Sequence, residues 1–99
     1  MAVPLGSAGI HIATRSRVQY VCDGGKTITT NYLNARNGQG FALLRIKGKT
    51  MLFVDTLSAS GARYVAGHYV WWTKGPTATL YDEMAAENAP PLLANCRSR

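Results

Sequence analysis

Apolar and polar residues alternate along much of the chain with a period of two, the spacing of strands that bury one face and show the other to water. In Arg17-Val18-Gln19-Tyr20-Val21-Cys22, residues Val18, Tyr20 and Cys22 fall on one side. Asp23-Gly24-Gly25-Lys26 supplies a turn that tolerates positive φ, and the β-branched run 27–33 reads as the returning strand of a hairpin. Residues 34–40 hold repeated turn residues, after which strands at 41–46 and 50–54 flank the short loop Lys47-Gly48-Lys49. Stretches 63–66, 69–73, 77–81 and 92–97 complete seven or eight short strands, each bounded by Gly, Pro or a polar turn. The one helical candidate, 82–87, is stopped by Pro90 and Pro91 and reads as an irregular connection. Strands of this number and spacing, without helices between them, predict an all-β fold: a small antiparallel β-barrel of about eight strands, with a sandwich as the alternative. Closure is favoured because it leaves no sheet edge open to pairing with other chains.

Length limits this reading to one domain, since 99 residues, 46% of them hydrophobic, suffice for a single core and not for two. The domain is expected over 17–99, with 1–16 a flexible N-terminus or an expression remnant. No run of about 18 apolar residues occurs, so no stable membrane insertion through a helix is expected. The two cysteines, Cys22 and Cys96, stand in the first and last strand-like segments, which barrel closure brings together. A disulfide between them is therefore expected to close the barrel and implies an oxidising compartment; two buried free thiols in a reducing one are the alternative. The net charge of +6 is concentrated in residues 1–50, where Arg15, Arg17, Lys26, Arg36, Arg45, Lys47 and Lys49 stand against Asp23 alone. Such a half is either a nucleic-acid face or, the reading favoured here, the solvated side of several strands.

Candidate chemistry gathers in two segments, Ser58-Ala59-Ser60-Gly61-Ala62-Arg63-Tyr64 and Tyr69-Val70-Trp71-Trp72-Thr73-Lys74-Gly75. They set a small hydroxyl and a lysine near turns, backed by aromatic rings, an arrangement suited to entering another protein's concave site. In a hydrolase, Ser60 would be the nucleophile and Lys74 its base. A lysine base must lose its proton, which takes burial, whereas Lys74 precedes Gly75-Pro76 at a strand end where exposure is expected. His11 and His68 are isolated, with no Asp, Glu or Cys at ligand spacing, so neither a metal site nor a cofactor is expected. Asp82 and Glu83 are neighbouring carboxylates expected to face solvent. Consecutive Trp71 and Trp72 must point to opposite sides of a strand, so one ring belongs to the core and the other is available to a partner.

On these segments the chain resembles the bacterial inhibitors of c-type lysozyme, the membrane-bound and periplasmic lysozyme inhibitors. Their first motif reads Ser-Gly-Ser-Gly-Ala-Lys-Tyr, and their second reads Tyr, any three residues, then Thr-Lys-Gly. Residues 58–64 and 69–75 match, with Ala59 for Gly and Arg63 for Lys as departures that leave the Ser60 hydroxyl and the Lys74 ammonium in place. Tyr20-Val21-Cys22-Asp23-Gly24-Gly25, the apolar stretch 41–44 and Cys96 extend the likeness over about 18–97.

The resemblance implies an eight-stranded barrel, no enzymatic activity, and a proteinaceous inhibitor of c-type lysozyme that protects bacterial peptidoglycan. It also implies that the loop bearing Ser60 enters the lysozyme cleft, with Lys74 placing a cation beside the catalytic carboxylates. Gly61 then allows close approach, Tyr64 and Tyr69 either pack beneath the loop or serve simple core packing, and Thr73 completes the partner-binding set. Because Cys22 follows Gln19-Tyr20-Val21 and not a small-residue lipid-attachment signal, the soluble periplasmic form is favoured. A lipid-anchored form without its anchor would read the same. Since c-type lysozymes are commonly basic, the basic first half is expected to face away from the enzyme. No residue pattern argues for or against a homodimer. The runner-up function is a small basic barrel that binds single-stranded nucleic acid through Tyr20, Tyr32, Phe41 and an exposed tryptophan. The Ser-Lys hydrolase stands third.

Overall fold

Strand-forming β-branched and aromatic residues, separated by glycine-containing turns, wind the chain into a meander. A computed structural model describes residues 11–99. It holds eight strands: β1 Ile12–Val21, β2 Thr27–Ala35, β3 Gly40–Ile46, β4 Lys49–Thr56, β5 Ala62–Ala66, β6 Tyr69–Lys74, β7 Thr77–Asp82 and β8 Leu93–Ser98. Each strand pairs antiparallel with the next and β8 returns to β1, closing the barrel. The predicted eight-stranded antiparallel barrel is thus the fold, and Cys22 is bonded to Cys96. Residues 83–92 connect β7 to β8 through turns rather than a helix.

One boundary differs from the sequence reading. β1 begins at Ile12, so the start expected at residue 17 falls inside a strand, while residues 1–10 lie outside the described residues. Residues 13–17 are exposed on both faces and carry no period-two signal. They belong to β1 through pairing with β2, whose register runs from Ile12↔Ala35 to Val21↔Thr27.

Alternate residues of neighbouring strands meet inside, where Trp71 and Phe53 are fully buried among Ile28, Ala42, Leu44 and Leu80. The Trp71 indole N–H donates to the Tyr32 hydroxyl at 2.9 Å, and that hydroxyl bonds the Tyr20 hydroxyl at 2.8 Å. Tyr20 meets Trp71 edge-on, with ring centroids 5.3 Å apart. Leaving a buried N–H unpaired costs about 1–3 kcal/mol, so Tyr32 is what allows an indole to fill the centre. These contacts correct the stacking alternative. Tyr20 and Tyr32 are committed to the interior, and Phe41, 5% exposed, packs with Leu33 and Ala35 in a second apolar cluster.

Burial, and next the hydrogen bond with Tyr20, push the Tyr32 phenol far above its usual value. Burial, and then the charge of Asp55 opposite it in the register, raise Tyr64 as well. A raised phenol is held neutral in the fold, so its contribution is complete below the unfolded value of about 10 and is lost as pH climbs beyond it. We expect stability to fall above roughly pH 10, with the last tyrosine ionisation coinciding with unfolding. Phenolate absorbance followed together with circular dichroism checks this; all five tyrosines ionising in a still-folded protein would refute it.

Candidate functional site

In a closed meander the connections alternate between the two ends of the barrel. The β4–β5 loop, residues 57–61, and the β6–β7 turn, residues 75–76, therefore share one end with the β2–β3 turn. Pairing of Ala62 with Thr73 and Arg63 with Trp72 brings the loop carrying Ser60 directly beside the strand end carrying Lys74. The two motifs, distant in sequence by a strand and a turn, become one protruding surface.

Four hydrogen bonds fix the loop. The Trp72 indole N–H donates to the Ser60 carbonyl at 3.0 Å, and the Ser58 hydroxyl donates to the same carbonyl at 2.6 Å. At the loop's base, Arg63 Nη1 donates to Thr56 Oγ1 at 3.1 Å while Thr56 Oγ1 donates to the Arg63 carbonyl at 3.1 Å. Gly61 sits at φ 68, and a Cβ there would overlap the Thr73 carbonyl oxygen and crowd the Trp72 indole nitrogen. Both the backbone angle and the space therefore demand glycine. Across the gap, Thr77 Oγ1 donates to the Lys74 carbonyl at 2.8 Å and closes the turn.

What this scaffold leaves unengaged is informative. Ser60 and Lys74 are both exposed, and among the described residues the Ser60 hydroxyl and the Lys74 ammonium form neither hydrogen bond nor ion pair. Thr73 is half-buried behind them, opposite Ala62 and Ala78. Tyr64 points into the barrel, its ring 5.6 Å from that of Tyr32. Tyr69 is elsewhere: it pairs with Ala66 and Asp82 at the opposite end of β6, about 14 Å along the strand from Thr73. It therefore does not pack beneath the loop, because five strand positions separate it from the turn.

One residue of this surface was not singled out by sequence, and for another the sequence left open which of two neighbours it is. Leu57 is 97% exposed at the head of the loop, a lone leucine between polar neighbours. Trp72 is the outward tryptophan, 40% exposed, but its N–H is already engaged in holding the loop. Of the two neighbouring carboxylates, Glu83 is exposed as expected, whereas Asp82 is half-buried and engaged. Asp82 Oδ1 lies 2.6 Å from His68 Nδ1 and accepts the Met84 amide at 2.9 Å. His68 foremost, with the amide second, holds the Asp82 carboxyl below the usual range. Glu83 pairs with Arg63 Nη2 at 3.0 Å. Lys26, Lys47 and Lys49 lie at the end of the barrel away from Ser60, whereas Arg36 shares its end.

The chain is similar to proteins of known action. A family model described as membrane-bound lysozyme-inhibitor of c-type lysozyme matches residues 20–89. The membrane-bound lysozyme inhibitor of C-type lysozyme from Cupriavidus necator is 51% identical over 94 residues, which is 95% of this chain and 74% of that protein. Its counterpart from Pseudomonas aeruginosa is 45% identical over 71 residues, 71% of this chain and 54% of the relative. Among solved structures, Pseudomonas aeruginosa MliC in complex with hen egg white lysozyme has a TM-score of 0.73 at 33% identity, covering 100% of this chain and 92% of that one. PliC-St, the periplasmic lysozyme inhibitor of C-type lysozyme from Salmonella typhimurium, has a TM-score of 0.76 at 27% identity, with 87% of this chain and 99% of that one covered.

Proposed function

The chain belongs to the family of membrane-bound lysozyme inhibitors of c-type lysozyme, a family of inhibitors and not of enzymes, and from that premise we propose that it inhibits a c-type lysozyme by lodging Ser60 and Lys74 in the enzyme's cleft. The observation that carries the proposal is the pairing of an unengaged hydroxyl with an unengaged ammonium on a loop that is already pinned. A pinned loop loses little conformational freedom when it binds.

Lysozymes of the retaining kind cleave with two carboxyl groups about 5–5.5 Å apart, one held protonated by a raised pKa and the other ionised. The Ser60 hydroxyl donates a hydrogen bond to such a carboxylate, and the Lys74 ammonium sits beside it as a counter-charge. A cation there also lowers the pKa of the general acid, favouring the ionised form that cannot protonate a leaving group. Occupancy keeps the polysaccharide out, and the charge disarms the acid. Leu57 extends the contact with an apolar side chain next to the polar pair. The disulfide requires an oxidising compartment, which fits a periplasmic protein guarding peptidoglycan.

The test is a turbidity assay in which a c-type lysozyme clears a bacterial cell-wall suspension with and without the purified protein. Clearing should slow in a dose-dependent way, and undiminished clearing at large molar excess would overturn the proposal. Trp72→Phe keeps the ring and removes the N–H that holds the Ser60 carbonyl. It should weaken inhibition about two- to tenfold with little change in thermal stability. Unchanged inhibition would mean that the indole bond does not prepare the loop.

A further inference from the structure

The end of the barrel away from Ser60 is incompletely walled. β8 pairs with β1 only at Tyr20↔Ser98 and Val21↔Arg97, so the first half of β8 has no partner strand on that side. The gap is spanned instead by the 3₁₀ turn at Asp23–Gly25, through Asn95 Nδ2 donating to Asp23 Oδ2 at 2.7 Å. Beside it lies a cavity of about 440 Å³, within the range of small-molecule sites and at a barrel mouth, where such sites recur.

Its lining is divided in two. Ile28, Ile46, Leu80, Leu92 and Leu93 make an aliphatic floor with no aromatic ring. Lys26, Arg45 and Lys47 stand around it, all three exposed and none in an ion pair among the described residues. Two acids lie nearby and both are engaged: Asp82, whose charge interacts with that of Lys47, is held by His68 and the Met84 amide, and Asp23, three positions before Lys26, accepts from Asn95. A sugar or peptide would find almost no hydrogen-bonding side chain on that floor, since Thr27 alone supplies a hydroxyl there. A methylene chain ending in one anion satisfies both parts at once.

We propose that this mouth binds a free fatty acid, its chain on the aliphatic floor and its carboxylate among Lys26, Arg45 and Lys47. Chain burial supplies the affinity and the three cations fix the polarity of entry. The site is independent of the lysozyme-facing loop, which projects from the other end.

Calorimetric titration with saturated fatty acids of increasing length tests this, using dodecanoate below its micelle concentration as the reference. Affinity should rise roughly fourfold per added methylene until the mouth is filled. The combined substitution Lys26→Gln, Arg45→Gln and Lys47→Gln changes only exposed side chains; it should weaken dodecanoate at least about tenfold, leave dodecanol unchanged and leave lysozyme inhibition intact. Absence of dodecanoate binding, affinity indifferent to chain length, or equal binding by the triple variant would each overturn the proposal. So would binding seen only with phosphatidylglycerol vesicles, which would make the rim a membrane contact.

Discussion

Replacing Lys74 by alanine is expected to weaken lysozyme inhibition roughly 30-fold to a few thousand-fold, the effect of the ~2–5 kcal/mol that truncating one member of a buried charge pair costs. The amine is exposed in the free protein, so on the proposed binding mode the loss arises in the complex, where the carboxylates it would face are left buried and uncompensated. For the same reason the free protein should keep its thermal midpoint, since exposed side chains change stability little. Ser60→Ala removes a neutral donor to a charged acceptor and should cost about tenfold to a hundredfold. The decisive measurement is the inhibition constant of folded Lys74→Ala against a c-type lysozyme. A value equal to the parent's would show that the cleft is blocked by something other than this ammonium.

The second large effect concerns the seam. Replacing Cys22 and Cys96 with serine should lower stability by about 2–5 kcal/mol, against a chain-entropy value of about 4.5 kcal/mol for the 74-residue loop the bond closes. In a domain this size that is a fall of at least about 10 °C in Tm. The bond matters here because β1 and β8 share only two register pairs, whereas β3 and β4 share six. Scanning calorimetry of the double variant, with a reductant added to the parent as a second route to the same state, measures it. A Tm within a degree or two of the oxidised parent would show that the two-pair seam holds by itself. Below its own Tm the double variant should still inhibit, because β4 to β7 carry the loop and the lysine.

How far the sequence disclosed this arrangement depended on distance along the chain. Val18, Tyr20 and Cys22 on one face and the split of Trp71 from Trp72 were legible, because each depends on neighbours within a few positions, whereas the lack of room for a Cβ at Gly61 comes from Thr73 and Trp72 across the register. The start of β1 was not, since residues 13–17 are exposed on both faces and only the register with β2 makes them a strand. Tyr69 was set under the loop by its place in a motif, but the pairing Tyr69↔Asp82 carries it to the other end. The same register aligns His68 with Asp82 and explains why that carboxylate is engaged and not free. That one of the two tryptophans faces outward could be read, but not that it is Trp72 or that its indole donates to Ser60, twelve positions upstream.

The bond between the first and the last strand also sets a schedule for biogenesis. Cys22 precedes Cys96 by 74 positions, so the clasp cannot form until nearly every strand has been made and the thiols meet an oxidant. Within these 99 residues Cys22 and Cys96 are the two thiols, so the domain offers neither of them a wrong partner of its own. Its hazard during that wait is capture by a thiol on another molecule, which ties successful maturation to how dilute the nascent protein is kept and how quickly oxidation follows synthesis.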